Sequence, residues 1–228
     1  MSGFAGFPSD AWTFLSELAA DNTKTFFDGN RHRYDGTLAA PAKALVEAMG
    51  VVLPARLDLA VHAEPKVGRS LFRINRDTRF AADKTPYKTY LDFLFWVGEG
   101  PPRARPAFIM RLTAREMLVG GGRLGLAGGA LEAYRAQLDA PARSAGLRAA
   151  VDALLASGAE LSEPNRARPP RPTAVEHPNA DLLRRDGFHL TRTTAHPAAI
   201  ARADLPEWCA AALEPFTPIV RWFSAVDG

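Results

Sequence analysis

Hydrophobic positions at the start of the chain recur at helical spacing. Trp12, Leu15 and Leu18 fall on one stripe, Phe14 widens it, and Ser9 or Asp10 is placed to cap it, which predicts an amphipathic helix through Ala20. Asp21-Asn22 breaks that run and can cap a second helix carrying Phe26, Phe27 and Tyr34. Gly36 is expected to end the second helix, and Leu38, Leu45, Val46 and Met49 predict a third up to Gly50. Beyond Gly50 the pattern changes to alternation. Leu57, Leu59 and Val61 sit at period two, Phe72 and Ile74 share a face, and the aromatic-rich run 87–97 is bounded by Pro86 and by a Gly/Pro stretch at 98–102. Residues 106–112 and 116–119 read as two more strands joined by Thr113-Ala114-Arg115, a connection that suits an antiparallel hairpin.

Gly120-Gly121-Gly122 is expected to close the last of these strands, giving a meander of about four or five. From Gly129 helical spacing returns with Leu131, Tyr134 and Leu138, then Leu147, Val151, Leu154 and Leu155, and Pro141 fits the first turn of the later helix. Residues 164–178 hold too many prolines for regular structure and predict an extended covering loop, with a proline-motif ligand as the alternative. A short helix at 179–185, a strand at 188–193 and a helical stretch at 205–222, interrupted at Pro215 and Pro218, complete the chain. The whole predicts a single α+β domain over residues 1–228: a helical section at 1–50, a sheet with a charged loop at 51–125, and helices with a proline-rich loop at 126–228. Its central sheet is mainly antiparallel, with N-terminal and C-terminal helices packed on it.

Composition adds bounds more than direction. At 228 residues and 47% hydrophobic the chain can bury a substantial core, and a formal charge of +3 permits nucleic acid without singling it out. One cysteine, Cys209, excludes an internal disulfide framework and any multi-cysteine zinc site. The first residues lack a basic leader, and no stretch is read as approaching the ~18 apolar residues of a membrane span, so the expected location is the cytoplasm, away from membranes. The five histidines are scattered without i,i+4 pairing, and no Gly-x-Ser-x-Gly elbow occurs.

Residues 76–89 concentrate the chemistry. Arg76, Arg79, Lys84 and Lys88 stand among Asp77, Asp83 and Tyr87, and Pro86 leads into a strand. On one reading the four cations, with Arg73 on the polar face of the preceding strand, grip a phosphate or carboxylate. Asp83 is then the candidate base, Tyr87 the candidate donor and Lys84 the third candidate catalytic group, while Asp77 orients its neighbours. On the other reading the same charges form a salt-bridge lattice that pins the loop. Gly121, within the triple glycine, is either part of a backbone anion nest or a tight bend into the next helix. A nucleic-acid or protein interaction module is the alternative function, in which Arg166, Arg168 and Arg171 of the proline-rich loop would add phosphate contacts.

The stretch Phe72-Arg73-Ile74-Asn75-Arg76-Asp77, continued by Arg79-Phe80, Asp83-Lys84 and Pro86-Tyr87-Lys88-Thr89, closely resembles the signature of a widespread bacterial and fungal domain-of-unknown-function family. The resemblance extends to Phe14-Leu15 with Leu18, to Asp21-Asn22 and Phe26-Phe27, where the family usually has Asn-Asn and Trp-Phe, and to Val119-Gly120-Gly121-Gly122 and Tyr134-Arg135. It implies an intracellular α+β domain with its polar site in the signature. It brings with it no reaction, cofactor or substrate.

Overall fold

The computed structural model describes residues 3–170 and 176–227. Six strands form one antiparallel sheet in the order β1-β2-β3-β4-β6-β5: β1 Val61–His62, β2 Leu91–Val97, β3 Ala107–Leu112, β4 Glu116–Arg123, β5 Glu160–Leu161 and β6 Phe188–Ala195. The α+β class is as the sequence predicts, and β3 and β4 are joined through 113–115, where Thr113 N–H donates to Glu116 O at 3.0 Å. Strand β5, which has no clear periodicity, pairs Glu160 with Thr191 and Leu161 with Leu190 of β6.

The chain divides into two compact units. The first comprises Met1–Phe95, Ile109–Leu118 and Thr193–Ala212. Its opening helix, Asp10–Ala20, buries Phe14, Leu15 and Leu18 of the stripe read from the sequence, but Ala11 is buried in place of Trp12, which is only half-buried. A short helix, Lys24–Gly29, is capped by Thr23, whose hydroxyl accepts from Phe26 N–H, not by Asp21-Asn22. Gly36 does not end a helix. One helix runs from Arg31 through Leu57, with a π-helical stretch at Tyr34–Ala39. A glycine costs a helix only about 1 kcal/mol relative to alanine, and burial of Leu38, Leu45, Val46, Met49, Leu53 and Leu57 outweighs it. Leu57 therefore belongs to this helix, not to a strand with Leu59 and Val61, and Asp58 terminates it in the left-handed region at φ 47°.

By length and composition this helix also meets the measure of a membrane span, with a mean hydropathy of 1.4 over 18 residues, contrary to the sequence reading. Core helices of soluble proteins and signal sequences meet the same measure. Phe72 and Ile74 do not form a regular strand. Leu71 and Asn75 make isolated bridges to Phe93 and Tyr87, because the alternating run is cut short by the charged loop.

The second unit comprises Trp96–Phe108, Val119–Arg192 and Leu213–Gly228. Helices Gly128–Asp139 and Pro141–Ala156 carry the buried residues Tyr134, Leu138, Leu147, Val151 and Leu154, and Pro141 takes the first turn. Tyr134 stacks on Phe223 at 5.8 Å and donates its hydroxyl to Leu182 O at 2.8 Å, so burial raises its pKa without leaving the hydroxyl unpaired. The helix Thr217–Asp227 continues past Pro218, which sits in its first turn, and the break falls in the 3₁₀ turn Glu214–Phe216 around Pro215. The triple glycine does not close a strand but lies within β4. Of the loop expected at 164–178, residues 164–170 and 176–178 have no regular structure, and 171–175 lie outside the described residues.

Candidate functional site

The charged loop is closed at its neck by main-chain pairing. Arg76 N–H donates to Pro86 O and Lys88 N–H to Ile74 O, each at 2.8 Å, with Asn75 opposite Tyr87. Proline suits that position, since the neck needs only its carbonyl. Asn22 holds the exit segment from the other side, since the strand expected from residue 87 begins only at Leu91. Tyr87 N–H donates to Asn22 Oδ1 at 3.0 Å, and Asn22 Nδ2 donates to Tyr87 O at 2.9 Å. The Tyr87 ring is buried and stacks on Phe27 at 4.2 Å.

Within the loop the charges pair locally. Asp83 Oδ1 accepts from Thr85 N–H at 2.9 Å, while Oδ2 accepts from the Thr85 hydroxyl at 3.0 Å and from Arg76 Nη1. The Thr85 N–H, then Arg76 and the Thr85 hydroxyl, hold the Asp83 carboxyl down to about 2. Asp77 accepts a fork from Arg79, Nε at 2.9 Å and Nη2 at 2.7 Å, which lowers the carboxyl's pKa and raises that of the guanidinium. Lys84 Nζ donates to Thr78 O at 2.9 Å. Phe80, at the apex beside the Arg79 guanidinium, is 96% exposed.

Beside the neck lies an open pocket of about 400 Å³. Arg76, Asp83, Thr85, Lys88, Thr89 and Tyr90 line it, along with Asn22, Ala19 and Tyr87. Lys88 is mostly covered; its Nζ donates to Asp92 Oδ2 at 3.2 Å and lies 5.2 Å from the Phe72 ring centre. The other oxygen of Asp92 accepts from Arg111 Nε at 2.7 Å, and that guanidinium sits 3.9 Å from the Tyr90 ring centre. The Lys88–Asp92–Arg111 chain thus carries one more positive than negative charge.

Of the residues singled out in the sequence, Arg76, Asp83, Tyr87 and Lys88 meet at this pocket. Asp77 and Arg79 pair with each other on the exposed part of the loop, Lys84 is bound to the loop's own backbone, and Arg73 is exposed and acts on Asp77. Gly121 belongs to the second unit. A Cβ there would come within 2.9 Å of Phe216 Cβ and 3.0 Å of Val220 Cγ2, so that position is occupied by close packing. Arg166 is committed to Asp186, and Arg171 lies outside the described residues. Arg168 borders a second pocket, of about 770 Å³, with His177 and Arg184.

Sequence reasoning missed Asn22 as a clamp, Thr85, Thr89 and Tyr90 as lining, and the Asp92–Arg111 support. Polar residues alternating with Leu91, Phe93 and Met110 along β2 and β3 were the available signal. Chemically, the arrangement holds charge better than it moves protons. A carboxyl held at about 2 is a weak base at neutral pH. Burial raises the Tyr87 phenol, and the charges acting on it are Asp28 and Arg31. Among the described residues no three His, Cys, Asp or Glu side chains gather as metal ligands.

A comparison with curated protein sequences finds no match. The family comparison covers nearly the whole chain, signature loop and both units included: through residues 10–222 the protein belongs to the family described as Conserved hypothetical protein (DUF2461).

Proposed function

We propose that this protein binds a small carboxylated or phosphorylated molecule in the pocket at the loop neck. One observation carries the reading: Arg76 and Lys88 line the same pocket, and neither spends its full donor capacity on the protein. Arg76 uses only Nη1, toward Asp83 and Thr85, which leaves its Nε–Nη2 edge for a bidentate anion contact. Lys88 gives one of three donors to Asp92. The side chains of Thr89 and Tyr90 make no hydrogen bond among the described residues, so their hydroxyls are available to the same ligand.

The experiment is a thermal-shift and calorimetric screen with acetate, dicarboxylates, inorganic phosphate, sugar phosphates and nucleotides, on the wild type and on Arg76→Gln. Stabilisation by one anion class, weakened about tenfold or more in Arg76→Gln, is the expected result. Silence across the panel, or equal binding by both proteins, overturns the reading.

Phe80 favours a second reading, an interaction loop that places an aromatic ring and Arg79 against a nucleic acid or another protein. For a single-stranded nucleic acid, affinity for an oligonucleotide would fall steeply with salt and collapse in Phe80→Ser. A flat salt response with an unchanged variant excludes that partner.

A further inference from the structure

A pocket built only for anions would bring donors to its ligand, and this one also brings a carboxylate. Asp83 lines the pocket, its side chain is 61% exposed, and the bonds it receives from Thr85 and Arg76 keep it ionised. Its two oxygens are unequally used. Oδ2 accepts from both the Thr85 hydroxyl and Arg76, whereas Oδ1 accepts only the Thr85 N–H and retains an acceptor position. A phosphate dianion set against Arg76 would lie beside that negative oxygen and be repelled by it. A ligand carrying an ammonium next to its acid group would use it.

We infer that the ligand of this pocket is a zwitterion, a free α-amino acid, with its carboxylate on the Nε–Nη2 edge of Arg76 and on Lys88, and its ammonium on Asp83 Oδ1. This deepens the anion-binding reading and rests on it. In an α-amino acid one carbon separates the two charged groups, so the protein groups that hold them must be neighbours. Arg76 and Asp83 are hydrogen-bonded neighbours, and a ligand of this kind spans the pair without breaking it. The pocket volume, about 400 Å³, lies toward the lower end of small-molecule sites and suits a ligand of this size. Thr89 and Tyr90 are left to meet the side chain.

The test compares three forms of the same ligand on the wild-type protein by calorimetry: each standard L-amino acid, its N-acetyl derivative, and its carboxamide, with acetate and inorganic phosphate alongside. At least one amino acid is expected to bind, with both derivatives weakened about tenfold or more, because each lacks one of two charge-assisted contacts. Asp83→Asn is expected to abolish the preference for the free amine while leaving the preference for the free acid. If acetate, phosphate or the N-acetyl derivatives bind as tightly as any amino acid, the zwitterion inference is overturned and the anion pocket stands. If nothing in the set binds, both fall. The ligand series on the wild type decides the question even if Asp83→Asn does not fold.

Discussion

Asn22 and Tyr87 are joined by two hydrogen bonds in which a side-chain amide replaces a neighbouring strand: Oδ1 accepts the Tyr87 N–H at 3.0 Å and Nδ2 donates to the Tyr87 carbonyl at 2.9 Å. The pair fixes the segment that leaves the charged loop to the turn after the opening helix. Tyr87 is also the residue between Pro86, which closes the neck, and Lys88, which lines the pocket. Losing the amide leaves two main-chain groups unpaired in a half-buried place, at about 1–3 kcal/mol. Asn22→Ala is therefore expected to lower the unfolding free energy read from urea titration by that amount, and with it the midpoint, and Asn22→Asp to act in the same direction, since it keeps the acceptor but loses the donor. Equal midpoints for the wild type and Asn22→Ala would show that the stacking of Tyr87 on Phe27 holds the segment unaided.

Gly121 answers a different question. The space a side chain would need is taken by Phe216 and Val220, with Phe108 Cδ1 at 3.5 Å from the same point. Gly121→Ala forces these to shift and is expected to destabilise the protein by about 1–3 kcal/mol in urea unfolding. Affinity for any anion found by screening should stay unchanged. An intact melting temperature with lost anion binding would restore the nest reading.

What the sequence made legible followed periodicity and local charge. The opening helix, the β3–β4 hairpin and the helices around Tyr134 and Val151 announced themselves through apolar positions at regular spacing. What it hid depends on distance along the chain. Gly36 reads as a stop, yet packing of Leu38 and Leu45 carries the helix through it. Gly120–Gly122 reads as a turn, yet Gly121 faces Phe216 and Val220 from a segment nearly a hundred residues later. Asn22 reads as a helix breaker, and its partner stands 65 positions away. Within the signature, composition could not tell which cations turn toward the pocket. Arg79 and Lys84 find partners inside the loop, whereas Arg76 and Lys88 stand at its neck.

Acid should act on the loop through Asp83. Its carboxyl is held at about 2 in the folded protein, against 3.8 ordinarily, by the Thr85 N–H first and then by Arg76. A depressed folded value means the stabilisation is complete above 3.8 and drains away as pH falls through about 2. Because Asp10, Glu64 and Asp204 are depressed as well, the whole protein's acid limb cannot isolate this one group. The difference between the wild type and Asp83→Asn can. It should be constant above about pH 5 and shrink toward zero between roughly pH 4 and 2. A difference that does not change across that window would mean the Thr85 and Arg76 contacts do not favour the ionised form.

Lys84 and Lys88 separate the two meanings of the signature. Lys84 donates to Thr78 O from an exposed position and does not line the pocket, so Lys84→Ala should leave stability within about 0.5 kcal/mol and leave anion affinity unchanged. Lys88 is only 17% exposed, as is its partner Asp92, and its charge lies over the Phe72 and Tyr90 rings. Removing it leaves Asp92 to Arg111 alone and strips one of the two cations from the pocket. Lys88→Ala should cost about 1–3 kcal/mol of stability, and should weaken anion binding about tenfold. Lys88→Arg restores charge with a different shape, and partial recovery of affinity in that variant would tie the loss to the cation. Urea titration and calorimetry on the three variants read both quantities. Should Lys84→Ala weaken binding while Lys88→Ala does not, the ligand sits on the outer loop and the pocket assignment fails.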